Sequence, residues 1–202
     1  MVAALALVAF VGCADLKGTF LEIKHTVLAS PVVQDAQLFG QAIVDRNWKE
    51  VHDSGLRLQD AYVVLAGAQT IEAEYGRECA ATLTTFFASS HVGSIRILRD
   101  SKVIDVVESV GTLRNVYAMT LGPNVIHVGK DKPLDLVHEV AHTAQWASAQ
   151  STFLLQYLPV VILGGGEGYE ASVFERDARM VSHEFHEEFP GVCVEPTLGA
   201  SA

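Results

Sequence analysis

Apolar positions recur at helical spacing through the first half of the chain. Ser30-Pro31 sets a capping residue and a first-turn proline ahead of Val33, Gln37, Gly40, Ile43 and Val44. Trp48 and Val51 extend that largely apolar side, so the pattern predicts one helix up to the polar stretch His52 to Gly55. Residues 56–68 and 77–89 read as two further helices punctuated by Gly67 and Gly76. From Gly93 the period shortens. Ile95 and Ile97 alternate with polar residues, residues 99–102 read as a polar turn, and Val103, Ile104, Val106 and Val107 are β-branched, which predicts the start of a small sheet. A second hairpin follows, 116–120 and 125–128, across a Leu-Gly-Pro-Asn turn. Helical spacing returns at "LDLVHEVAHTAQWA", with Asp131 as candidate cap. An apolar run "FLLQYLPVVIL", the flexible "GGGEG" and a last helix from about 169 to 188, ended by Phe-Pro-Gly, complete the pattern. Helices and strands are thus segregated along the chain, the mark of an α+β fold with a small, mostly antiparallel sheet.

Composition narrows the options. The 202 residues are 50% hydrophobic, ample for a core, and no repeat or low-complexity tract interrupts them. A net charge of -10, from 14 basic and 24 acidic residues, disfavours a nucleic-acid partner. The densest basic cluster, Arg96, Arg99 and Lys102, reads as a solvated hairpin tip. The first fourteen residues are apolar, too short to span a bilayer but long enough for a signal-peptide core, although no positive charge precedes them. Phe10 to Cys13 is similar to a lipoprotein cleavage box. Lipidation of Cys13 would tether the chain to a membrane at a bacterial envelope or periplasm and leave Cys79 and Cys193 able to pair. The alternative is a buried N-terminal helix, a soluble chain and three ordinary apolar cysteines.

The chemistry concentrates in "HEVAH". Residues four apart on a helix share a face, so His138 and His142 present two imidazoles to one tetrahedral zinc. Glu139, one position on, is poorly placed as a ligand but suited to take a proton from a water that the metal activates. Leu134, Val137, Val140 and Ala141 supply an apolar side for burial, and the alternative is a half-exposed amphipathic helix without a metal. A catalytic zinc needs a third protein ligand. No histidine follows on the same strip, which leaves a carboxylate from the last helix: Glu167, Glu170, Glu175 or Asp177. His183 and His186 suggest a second metal site, with a solvated helix face as the plainer account; His127 is a strand-surface histidine or a substrate contact. Tyr157, Tyr169 and Arg179 are candidates for oxyanion stabilisation, and the glycine run lacks the setting of a nucleotide loop.

"HEVAHTAQW", then "YEASVFERDAR" some thirty residues later, with "TLGPNVIHVG" in front, resembles the small bacterial gluzincin-type zinc metallopeptidases that carry His-Glu-x-x-His-x-x-Gln and a downstream glutamate helix. The resemblance spans roughly residues 111–181. It implies His138, His142 and Glu175 as zinc ligands, Glu139 as general base, and Gln145 as a residue that orients a ligand or serves structure. Glu170 remains an alternative third ligand, and Asp177, which stands where the family more often has glutamate, an alternative partner for a histidine. The implied organisation is a signal-like or buried segment at 1–14 and one metallopeptidase-like domain at 15–202. That domain comprises a helical scaffold at 15–90 and a zincin-like core at 91–188, the active-site helix followed by a ligand-bearing helix. The expected function is hydrolysis of peptide or protein substrates. A non-catalytic, membrane-tethered interaction protein on the same scaffold is the alternative.

Overall fold

The computed structural model describes residues 31–110, 116–149 and 172–195, and the chain divides into two compact units, 1–66 and 67–202. The first contains α1 (Pro31–Val44) and α2 (Trp48–Leu65), which pack through Phe39, Ala42, Val51 and Leu58. The single helix expected up to the polar stretch at His52 is therefore two. Arg46 adopts φ 56°, a left-handed conformation that ends α1, and Asn47 restarts the chain by accepting a hydrogen bond from the Glu50 N–H. Because α2 runs through Gly55, the helix expected from residue 56 begins at Trp48.

The second unit is α+β. In chain order it has β1 (Gln69–Thr70), α3 (Ile71–Phe86), a 3-10 turn (Ser90–Ser94), β2 (Arg96–Leu98), α4 (Lys102–Val110), β3 (Ala118–Thr120), β4 (Val125–Val128), α5 (Leu136–Ala149) and α6 (Val173–Glu188). Thr70 caps α3 by accepting from the Ala73 N–H, and Gly76, at φ 88°, kinks it where a side chain would be strained. No described helix is long and apolar enough to cross a membrane. Residues 1–30, with the apolar start and Cys13, lie outside the described residues, as do 150–171 with the apolar run and the glycine stretch.

The four strands run in the order β1-β2-β4-β3. β1 with β2 and β3 with β4 are antiparallel, while β2 and β4 are parallel, so the sheet is mixed rather than a chain of hairpins. The parallel pair follows from α4. Val103 to Val107, read above as strand, are helical because Ser101 caps them: its hydroxyl accepts from the Val103 N–H and its carbonyl from the Ile104 N–H. Val103 and Ile104 are buried while Lys102 and Asp105 stay exposed and ion-paired, the one-sided burial of a helix. A helix after β2 carries the chain across, and β4 returns beside β2 in the same direction. The β3–β4 hairpin forms as expected, with Gly122 at φ 83° in its turn.

Arg99 is not at a solvated tip. It is half-buried, donating to Glu74 at 2.7 Å, to Glu195 at 2.7 Å and to the Tyr75 hydroxyl at 3.1 Å. A disulfide joins Cys79 of α3 to Cys193 beyond α6. Both cysteines belong to the core that unites Ile97 and Ile126 of the sheet, Val137 and Val140 of α5, and Phe185 of α6. Phe185 is fully buried edge-on to Phe86, which is worth about 1.5–3 kcal/mol in side-chain burial. The apolar sides of α5 and α6 are thereby committed to the core.

Candidate metal centre

The centre is built by α5 and α6 lying antiparallel. Asp135, not Asp131, caps α5. Its Oδ1 accepts from the His138 N–H at 3.1 Å, while Asp131 sits in the preceding turn at φ 54°. The same carboxylate accepts the Ser182 hydroxyl at 2.9 Å, tying the start of α5 to the second half of α6. One to three turns along, His138, His142 and Gln145 meet Glu175, Phe174 and Asp177 at the start of α6. With Leu136, Val137, Val140 and Ala141 buried in the core, the i, i+4 strip of histidines faces α6.

The donor atoms converge tightly. His138 Nε2 and His142 Nε2 are 3.1 Å apart, with Glu175 Oε2 3.2 Å from the first and Oε1 3.3 Å from the second. One atom from each residue can be chosen so that all lie within 4.8 Å of one another. Ligand bonds of about 2.0–2.1 Å around a tetrahedral ion give donor-to-donor edges of about 3.3–3.4 Å; the two nitrogens, and each nitrogen with the carboxylate oxygen that faces it, approach that spacing, a different oxygen facing each ring. Two imidazole nitrogens and one carboxylate also match the preferences of zinc better than those of calcium or magnesium, which favour all-oxygen sites.

The charges here could accommodate a cation. Glu175 is 1% exposed and Glu139 7%, beside two largely buried imidazoles. With both carboxylates ionised and both rings neutral the cluster carries two negative charges in a poorly solvated place, a costly state that a divalent ion offsets. Burial alone would lower the pKa of His142, but its hydrogen bond to Glu175 and the charges of Glu139 and Glu175 outweigh burial and raise it.

Glu139 is separate from the ligand trio. Its Oε2 accepts the Thr120 hydroxyl of β3 at 2.7 Å, and the Thr120 carbonyl accepts the Trp146 indole N–H at 3.3 Å. The carboxylate is thus clamped between α5 and the outer strand of the sheet. Gln145 contacts His142 directly, its Oε1 2.8 Å from Nδ1, whereas the exposed Asp177 touches the amide and not a ring. Glu167, Glu170, Tyr157 and Tyr169 lie outside the described residues, and Arg179 is half-buried one helical turn beyond Glu175. His183 and His186 are exposed, the former 3.6 Å from Glu187 in a solvated pair. The trio is the one group of three or more candidate ligands among the described residues.

His127 departs from expectation. β4 is a central strand, so the residue is neither on an edge nor at the surface: it is 1% exposed, with Nδ1 2.9 Å from the Ser101 hydroxyl. Burial pushes its pKa down to about 4. Between about pH 6.5 and 4 the unfolded chain therefore binds a proton that the folded one refuses, and stability falls as pH drops through that window. The loss approaches about 3 kcal/mol at the lower end. In a pH series of denaturant unfolding, His127→Gln is expected to flatten this slope, and a slope identical to the parent's would refute the assignment.

Thr120, Asp135 and Ser182 were not singled out by sequence. Only Asp135 leaves a signal, standing three residues before His138 at the head of an apolar run, the spacing of an N-cap. Comparisons of the chain with protein-family models, with curated proteins and with solved structures give no match.

Proposed function

We propose that the protein is a zinc-dependent hydrolase of peptide or protein substrates, built on a zincin-like pairing of α5 and α6. In this reading His138, His142 and Glu175 hold the ion and Glu139 is the general base. One observation carries it: two histidines a turn apart on one helix and a buried glutamate from another point their donor atoms at a common centre, with a second buried glutamate beside them. A structural helix pair has no use for that concentration of polar groups in its interface. The gluzincin-type resemblance implies the same four residues.

A zinc ion held there supplies Lewis acidity toward a water molecule and the carbonyl under attack. The remaining work falls to the chain. Glu139 takes the proton that the attacking water gives up and returns it to the departing nitrogen as the amide bond breaks, so that no net proton is consumed. Thr120 fixes the carboxylate from the side of the sheet, so Glu139 keeps one orientation in both transfers. Burial limits competition from bulk water for that proton.

Glu139→Gln tests the assignment because it preserves shape and removes basicity. The variant is expected to keep the zinc content of the parent and to lose about 10²–10⁴-fold in cleavage rate on a peptide library. Loss of metal together with activity would instead make Glu139 a ligand. A parent that binds zinc and cleaves nothing would favour the interaction-protein reading.

A further inference from the structure

We infer that Gln145 is a positioning residue that couples His142 and Glu175 into one ligand set, fixing the ring tautomer of the first and the helical register of the second. The inference rests on the metal reading above and concerns how the centre is made competent.

Gln145 has two chemically different ends, and its neighbours identify them. One end lies 3.1 Å from the Phe174 carbonyl and 2.9 Å from Asp177 Oδ2, both acceptors, so it is the NH₂ group and donates to each. The other end is therefore the carbonyl oxygen, and it faces His142 Nδ1 at 2.8 Å. An amide oxygen carries no proton. Nδ1 must supply it, and a neutral His142 then has its lone pair on Nε2, the atom aimed at His138 and Glu175. The opposite tautomer would present an N–H to the centre and could not ligate. Flipping the amide would set its oxygen against two acceptors, so the arrangement is self-consistent in one orientation only.

The two acceptors also bracket Glu175. Phe174 precedes it and Asp177 follows it on the first turn of α6, so both bonds hold only while that turn faces α5 as it does here. Rotation by one residue turns a helix by about 100° and would break both while carrying Glu175 off the histidines. A single side chain thereby reads the register of α6 and reports it to the ring of His142. Asp177 is exposed and water competes for its bond, so the Phe174 carbonyl is the steadier partner.

Gln145→Met keeps length and bulk but removes both polar ends. Zinc affinity measured by competition with a chromophoric chelator is expected to fall about 10- to 100-fold in Gln145→Met. In Asp177→Asn, which still offers an oxygen, it is expected to stay near that of the parent. Nitrogen-15 spectra of the metal-free parent, recorded at a pH high enough to neutralise the ring, should show His142 protonated on Nδ1. A folded Gln145→Met protein that binds zinc within twofold of the parent would overturn the inference and leave the metal reading intact. If that variant does not fold, the spectrum decides: a ring protonated on Nε2 overturns the inference. A parent that binds no zinc defeats the metal reading and this inference together.

Discussion

Zinc added to the metal-free protein will raise its unfolding temperature, and the same addition to His142→Ala will not. The parent places three donors around one point, whereas the variant retains one imidazole and a buried carboxylate. A ligand present at about 100 times its Kd stabilises the folded state by about 2.7 kcal/mol. For a domain of about 150 residues this corresponds to a rise of about 5–10 °C. Magnesium and calcium should give little, because the site offers two nitrogens where those ions prefer oxygen. Elemental analysis supplies the matching count, about one zinc per parent chain and little in the variant. No zinc in either protein after reconstitution, with no thermal shift, would reduce "HEVAH" to a helical pattern and favour the interaction-protein reading.

The zinc and Gln145 experiments divide the site into parts that sequence shows unequally. His138, Glu139 and His142 are legible because helical periodicity is local: a spacing of four fixes a shared face whatever else the chain does. The β3–β4 hairpin is legible for a similar reason, since Gly122 and Pro123 set its turn without help from distant residues. Glu175 is visible only as one of several carboxylates, and packing against α5 distinguishes it from the exposed Asp177 in the same turn. Thr120 and Ser182 are invisible in sequence, since each acts by meeting a residue of another element, Glu139 and Asp135 respectively. Two of the misread segments share one cause. Val103 to Val107 carry strand-type side chains, and a single cap at Ser101 makes them a helix. His127 lies in the interior and not at a strand surface because the parallel β2–β4 pairing makes β4 central, and that pairing depends on the same helix.

Removing the Cys79–Cys193 bridge will cost much of the stability of the second unit and little of the metal affinity of the molecules that stay folded. The bond closes a loop with a sequence separation of 114, within which α5, the start of α6 and every proposed site residue lie. Restricting the unfolded chain over such a loop is worth about 2–5 kcal/mol, so Cys79→Ser with Cys193→Ser should lower the unfolding temperature by about 10 °C. Reductant should produce the same drop in the parent and none in the double variant. The expected separation from metal binding comes from where each restraint acts. The bridge and Glu195, which accepts from Arg99 at 2.7 Å and from the Leu134 N–H at 3.1 Å, hold the chain beyond the far end of α6. At the near end, Gln145 and the histidines meet Glu175 and its neighbours, and Ser182 bonds Asp135 midway. A double variant that remains folded at low temperature yet binds zinc more than about 100-fold more weakly would exceed the range typical of a supporting contact. That result would show the bridge itself positioning Glu175, with the helix-to-helix bonds insufficient to hold the centre alone.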